Sequence, residues 1–275
     1  MVGDPRAVSD SGRIPAGAFS TGGRIEILGT DLTVQHFDDA VEHLIRAVRE
    51  RTSLRAHFCT VHTIVDARTD ARLRAAFDSA DMLAMDGTPL VWMAHRRGAA
   101  SAERVCGPDV ILALSDRGRA QGIRHFFLGG AAGIPEKLAD ALSLRFPGLL
   151  VAGTLSPPFG SFSVHEEEEM VAAVNAARPD VLWIGLGSPR QEIWAADLAA
   201  RVDTPVILPV GAAFDFYSGR IRRAPRWIQA IGLEWLFRVA MDPHRLGWRY
   251  LRTNSLFIWL VAIDFVKRRG LLARR

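Results

Sequence analysis

The sequence predicts an α/β fold, a mostly parallel sheet flanked by helices in the Rossmann-like manner, with a basic helical C-terminal appendage. Three observations lead there. From residue 24 onward, short apolar runs alternate with longer segments of helical period, which is the pattern of βα units. About half of the 275 residues are apolar, enough to bury a sizeable core. The charge is also divided: residues 220–275 hold thirteen Lys/Arg against three Asp/Glu, a net +10 in a chain of +4, so residues 1–219 carry −6.

In chain order, residues 1–23 are rich in Gly, Ser, Pro and Ala and lack the basic-then-apolar order of a signal peptide, so they read as a flexible leader. A strand-like run at 25–28 precedes a helix over 36–50, in which Val41, Leu44, Ile45 and Val48 recur at helical spacing. Further strand-like runs lie at 55–60, 81–85, 123–128, 149–153, 181–186 and 206–210, each separated from the next by room for a helix. Ser163 with Glu166 and Ser188 with Gln191 fit capping boxes, and Pro89 and Pro189 suit first-turn positions. Open parallel sheets bind ligands beyond the carboxyl ends of their strands, which directs attention to His62, Asp86, Gly129, Gly187 and Gly211.

The organisation expected is therefore a catalytic body over 24–219 and an Arg- and Trp-rich, membrane-associating appendage over 220–275. Four of the seven tryptophans fall in that last segment. Residues 256–263 are unbroken apolar sequence, far short of the roughly 20 residues a membrane span needs. Flanked by Arg252 and Lys267-Arg268-Arg269, the run suits a helix lying in the bilayer interface; a helix packed on the body or on a second subunit is the alternative. Cys59 and Cys106 belong to no C-x-x-C, so no zinc site or disulfide framework is expected and both thiols fit a reducing, cytosolic setting.

Asp86-Gly87-Thr88-Pro89 follows a strand and opens a helix, so Asp86 can serve as a general base or simply turn the chain. Gly185-Leu186-Gly187-Ser188 joins a strand to a helix whose first N–H groups are free to hold a phosphate. Gln191 and Glu192 then either cap that helix or bond a nucleotide. Gly129 and Gly130 can approach a phosphate closely or serve a tight turn. Arg223, Arg238, Arg245, Arg249 and Arg252 give the appendage a density of guanidinium groups suited to diphosphate oxygens, with solvated or lipid-facing charge as the default for any one of them. No Asp-x-Asp triplet occurs, so a metal-holding carboxylate pair is missing and arginines and helix ends must stabilise any diphosphate leaving group.

Taken as an ordered series, these pieces resemble the WecG/TagA/CpsF glycosyltransferases over roughly residues 24–252. The series comprises Thr60-Val61-His62, Ala80-Asp81 through Asp86-Gly87, Arg104-Val105-Cys106-Gly107-Pro108-Asp109 and Leu128-Gly129-Gly130. It continues through Gly185-Leu186-Gly187-Ser188-Pro189-Arg190-Gln191-Glu192, residues 211–215, Arg223-Ala224-Pro225, Glu234-Trp235 to Arg238, and Pro243-His244-Arg245. The resemblance implies the family's own α/β fold and an inverting, metal-independent transfer without a cofactor. In it Asp86 takes the acceptor hydroxyl proton while UDP leaves. Thr60, Arg104 and Gln191 map onto positions that line the active site, and Arg238, Arg245 and Arg249 would close over it.

The implied partners are a UDP-sugar donor, a polyprenyl-diphosphate-linked saccharide acceptor, a membrane surface and further copies of the chain. The implied location is cytoplasmic, peripheral on the inner face of the cell membrane. Family members use N-acetylmannosamine, its uronic acid or glucose, with N-acetylmannosamine the leading donor sugar here. Two departures stand out: many members have Asn at the place of His62, and the run at 256–263 extends past the family's usual end. Two other function classes fit parts of the sequence. A dinucleotide-dependent oxidoreductase would need a G-x-G-x-x-G fingerprint with its acidic ribose ligand, which is absent. A non-catalytic binder of membrane or nucleic acid accounts for the basic tail but not for the ordered motifs, and no nucleic-acid partner is expected.

Overall fold

The computed structural model of the chain describes residues 23–158 and 160–272, so the leader, Gly23 apart, lies outside the described residues. Strands β1 (Arg24–Ile27) and β2 (Thr30–Thr33) form an antiparallel hairpin. Its turn residues, Leu28 and Gly29, both have positive φ, 51° and 84°, as a two-residue turn matched to strand twist requires. The hairpin replaces the single strand expected here. Thr-Asp-Leu-Thr offers one apolar side chain, Leu32, and so gives almost no strand signal by itself.

Helix α1 (Phe37–Arg49) leads into six strands that are all parallel. These are β3 (Leu54–Cys59), β4 (Met82–Met85), β5 (Arg124–Gly129), β6 (Leu150–Leu155), β7 (Val181–Gly185) and β8 (Val206–Pro209), in the spatial order β4-β3-β8-β7-β5-β6. Helices α2 (Val61–Asp66) and α3 (Ala71–Asp78) follow β3, and α4 (Thr88–Arg96) and α5 (Gly107–Arg117) follow β4. Then α6 (Ile134–Arg145), α7 (Val164–Ala177), α8 (Arg190–Leu198) and α9 (Ala213–Tyr217) follow β5, β6, β7 and β8 in turn. The α/β sheet with flanking helices is thus as the sequence predicts.

Helices cover both faces of the sheet. Val181 and Trp183 of β7 enter a cluster with Ala40 of α1, Val110 of α5, Leu138 of α6 and Phe214 of α9. Leu182 and Ile184 point the other way, against Val174 of α7 and Trp194 of α8. Burial on two faces is why such strands read as unbroken apolar runs. The capping box at Ser163 and Glu166 is formed. The one expected at Ser188 is not: the Gln191 side chain reaches one residue further back, its Oε1 accepting from Gly187 N at 3.1 Å, and Pro189, after a cis peptide bond, precedes rather than begins α8.

Beyond Gly219 come α10 (Arg226–Ala230), α11 (Glu234–Met241) and the 30-residue α12 (Pro243–Leu272), in whose middle the apolar run at 256–263 lies. Phe257 is buried in the cluster shared by α2, α3 and α4, with Leu256, Leu260 and Val261 packed beside it. The opposite face leaves Trp248, Leu251, Ile258, Trp259, Phe265 and Val266 exposed, at the i, i+3, i+7 spacing of one helical stripe. The helix therefore packs on the body with one face, as in the alternative reading of the run, and bares a second apolar face. Among the described residues no helix is long and apolar enough to cross a membrane.

Candidate active site

Because the strands are parallel, their carboxyl ends share one edge, and that edge gathers the predicted residues. Thr60 and His62 follow β3, Asp86 follows β4, Gly129 and Gly130 close β5, and Gly187 and Gln191 follow β7.

Asp86 is fixed by its backbone, whose N–H donates to the Cys59 carbonyl at 2.9 Å across the β3–β4 edge. Arg104, just before α5, grips the same residue twice: Nε donates to its carbonyl at 2.6 Å and Nη2 to Oδ1 at 3.1 Å. Oδ2 has no hydrogen-bond partner among the described residues and is the oxygen left to take a proton. Burial pushes the carboxyl up to about 6; Arg104 works against this, and the Glu234 charge adds to it. A carboxylate that ionises there is basic enough to accept a proton yet deprotonated at neutral pH.

Thr60 caps α2, with its side chain and that of Thr63 forming a capping box. The Thr60 hydroxyl also meets His62 Nδ1 at 2.7 Å. Burial, then the Arg249 and Arg238 charges, pushes His62 down to about 3, so its ring is neutral. Its Nε2 is buried without a partner among the described residues. The Tyr250 ring stands edge-on to it at 6.3 Å and is itself covered by the Arg249 guanidinium, 5.4 Å from the ring centre. Arg238, on α11, lies 5.7 Å over the Phe216 ring. Two of the three predicted closing arginines thus bring positive charge to the Thr60–His62 turn. Arg245 stands in the first turn of α12, and its side chain lies outside the described residues.

The glycines divide by cause. A Cβ on Gly129 would come within 2.6 Å of the Gly185 backbone, and one on Gly185 within 2.6 Å of the Phe214 ring, so close packing of β5, β7 and α9 demands both. On Gly130 it would meet Ile134 at 2.8 Å. Gly187, with φ +77°, has nothing within 4 Å: it needs the backbone freedom of glycine and borders open space at the start of α8. Gln191 and Glu192 are buried and joined by a 3.0 Å hydrogen bond, Gln191 Nε2 donating to Glu192 Oε1. Burial raises the Glu192 carboxyl above its usual range.

Glu234 stands in the ordered motif series, but nothing in the sequence assigns it a partner. Its carboxylate accepts from Arg104 Nη2 at 2.8 Å and from Arg223 Nε at 3.2 Å, with its side chain only 13 % exposed. Arg223 also pairs with Asp109 and donates to the Tyr217 hydroxyl at 3.0 Å, so protein groups occupy its guanidinium. An unbroken chain of charges runs from Asp86 through Arg104, Glu234 and Arg223 to Asp109, binding appendage to body. Cys59 and Cys106 are free buried thiols, and the Cys106 thiol donates to Asp109 at 2.8 Å.

With a carboxylate near neutrality at the open edge of a parallel sheet and arginine cations converging on the next turn, the fold is equipped for group transfer. A hydroxyl can lose its proton here while an anion leaves. The chain belongs to the glycosyl transferase WecG/TagA/CpsF family, whose profile matches residues 25–271. That span takes in all of α12 but its last residue, so the apolar run at 256–263, expected from sequence to extend past the family's usual end, lies inside the family's length. The chain is similar to an N-acetylglucosaminyldiphosphoundecaprenol N-acetyl-beta-D-mannosaminyltransferase of Bacillus spizizenii, with 28 % identity over 71 % of this chain and 74 % of the relative. A protein of the same name from Staphylococcus aureus is 25 % identical over 90 % of this chain and 94 % of its own length.

Proposed function

We propose that the chain transfers an N-acetylhexosamine, N-acetylmannosamine foremost, from a UDP-sugar to a polyprenyl-diphosphate-linked N-acetylglucosamine, with inversion. The acceptor class follows the names of the relatives, whose substrate is N-acetylglucosaminyldiphosphoundecaprenol. The observation that carries the mechanism is Asp86, held by Arg104 with one carboxylate oxygen unengaged and an ionisation near pH 6. The acceptor hydroxyl gives its proton to Asp86 Oδ2 and its oxygen bonds to the anomeric carbon of the donor. The bond from that carbon to UDP breaks on the opposite side. Arg238 and Arg249, with Arg245 on the same segment, hold the diphosphate charge, and the N–H groups of Ser188 and Arg190, which have no partner among the described residues, offer a second anion site at the start of α8. Thr60 and neutral His62 line the sugar, and Gln191 orients the loop at Gly187.

The exposed stripe of α12, with Trp227, Leu236 and Met241 exposed on α10 and α11, supports a peripheral seat on the inner face of the membrane where a lipid-linked acceptor resides. The test is UDP release from a panel of UDP-sugars with an undecaprenyl-diphosphate-linked N-acetylglucosamine, for the wild type and Asp86→Asn. Acceptor-dependent release with one donor, lost in the variant, is the result expected. Release that ignores the acceptor, or survives in the variant, would overturn the assignment.

A further inference from the structure

Helix α4 begins two residues after Asp86, and α12 crosses beside it. Between them lies an open groove of about 370 Å³. Pro89, Trp92 and Met93 form one wall, while Phe257, Ile258 and Val261 form the other. Among the described residues the sole charged lining residue is Arg96, in the last turn of α4. At 1.5 Å rise per residue, Trp92 stands roughly 6 Å along α4 from Thr88, and Arg96 roughly 12 Å. The groove thus starts against the turn that carries Asp86. The appendage also seats at this point, since a Cβ on Gly232 would lie 3.1 Å from Thr88. At its other side the groove opens onto the exposed stripe of α12 through Ile258, 68 % exposed, next to Trp259.

We infer that the groove between α4 and α12 holds the first isoprene units of the acceptor's polyprenyl chain and leads them from the diphosphate to the bilayer. This rests on the proposed acceptor. Such an acceptor is a polar saccharide diphosphate joined covalently to a hydrocarbon chain. If its sugar hydroxyl reaches Asp86, the chain must leave the site without crossing water or charge. The groove provides an apolar path that begins beside the base and ends on the membrane-facing stripe, with the Arg96 cation where anionic headgroups would lie. Trp92, 54 % exposed on α4, then has an apolar contact.

The experiment compares two acceptors bearing the same saccharide diphosphate, one on a farnesyl chain and one on a propyl group, in the full chain. Val261→Trp fills the groove, Trp92→Ala removes a wall, and Trp259→Ala alters only the stripe. For both groove variants KM for the farnesyl acceptor should rise about tenfold, the equivalent of roughly two buried methylenes. KM for the propyl acceptor and the donor, and kcat, should stay as in the wild type. An unchanged KM for the farnesyl acceptor, or equal losses with both acceptors, would overturn the inference. So would a fall in binding of Val261→Trp to acceptor-free anionic vesicles as large as that of Trp259→Ala, because the groove would then be a bilayer contact. A farnesyl diphosphate carrying a terminal benzophenone reads the groove without transfer. Photolabelling of the peptides holding Trp92 or Ile258 supports it, and labelling confined to other segments refutes it. Labelling without transfer to either acceptor would sink the proposed reaction while keeping the groove as a prenyl diphosphate site.

Discussion

The body and the appendage are built on opposite rules. In the body, Asp86, Thr60 and Gly187 are held by backbone that continues buried strands, and Trp183 at the centre of the sheet is wholly inaccessible. Among the described residues the appendage has no sheet and little core of its own. It is fastened by two of its three acidic residues, Glu234 to Arg104 and Arg223, and Asp264 to Arg97, together with the buried face of α12 at Tyr250, Thr253 and Phe257. Much of its remaining described surface is cationic or apolar, as at Arg222, Arg226, Trp227, Trp248 and Trp259. What the difference teaches is two ways of placing charge: Asp86 sits at a buried sheet edge, while Arg238 and Arg249 are carried by a segment fastened through ion pairs and one buried helix face.

The largest effect that would break this comparison is on chemistry in the body. Asp86→Asn should lower kcat by roughly 10²- to 10⁴-fold, as expected for loss of a general base, with the fold retained by circular dichroism. The pH profile sharpens the point. A base must be deprotonated, so kcat/KM of the wild type should fall as pH drops through about 6, where burial places Asp86. The residual activity of the variant should lack that limb. For stability the sign is opposite to that of an ordinary ion-paired carboxylate. Because the folded value is raised above that of the unfolded chain, the stability linked to the neutral acid is present below pH about 4 and lost as pH rises through about 6. Asp86→Asn should therefore gain melting temperature relative to the wild type at pH 8 compared with pH 4.

Next in size is Gly129→Ala, which combines φ +139° with a 2.6 Å clash against the Gly185 backbone and should cost about 3 kcal/mol or more by denaturant titration. Gly187→Ala carries only the backbone strain, with nothing within 4 Å, and should cost about 1 kcal/mol. Equal losses would mean that the two turns are glycine for the same reason. Glu234→Gln weakens the clasp, taking the charge from hydrogen bonds to two arginines. A loss of about 2–3 kcal/mol is expected, with faster proteolysis confined to α10–α12. The smallest effect on folding falls on the outer face: Trp248→Ala with Trp259→Ala should leave thermal stability unchanged while weakening binding to anionic vesicles about tenfold.

The body was largely legible because each buried parallel strand is a short apolar run and each site residue stands just after one. What stayed hidden depended on partners distant in sequence. Nothing local to Arg104 announces Glu234, 130 positions away, although a lone Glu amid the arginines of a +10 segment was a usable signal. The β2 strand was missed because its face against the body needs only Leu32 and the small Thr30, with Gly29 as the overlooked turn signal. The apolar run of α12 is shorter than the helix because Arg249, Arg252, Asn254 and Ser255 break the continuity with Leu246, Tyr250 and Leu251, whose helical spacing extends the element towards Pro243. For the site, sequence supplied the right turns but not the division of the glycines, since the clash between Gly129 and Gly185 exists only once β5 and β7 are neighbours.

The most direct test of a site shared between body and appendage is the single-turnover transfer rate of the Arg238→Ala, Arg249→Ala double variant, with thermal melting as the control for folding. A loss of roughly 10²-fold or more at unchanged melting temperature is the result predicted, the scale set by removing donors to developing charge. Transfer at the wild-type rate would contradict it, placing the whole of the chemistry in the body.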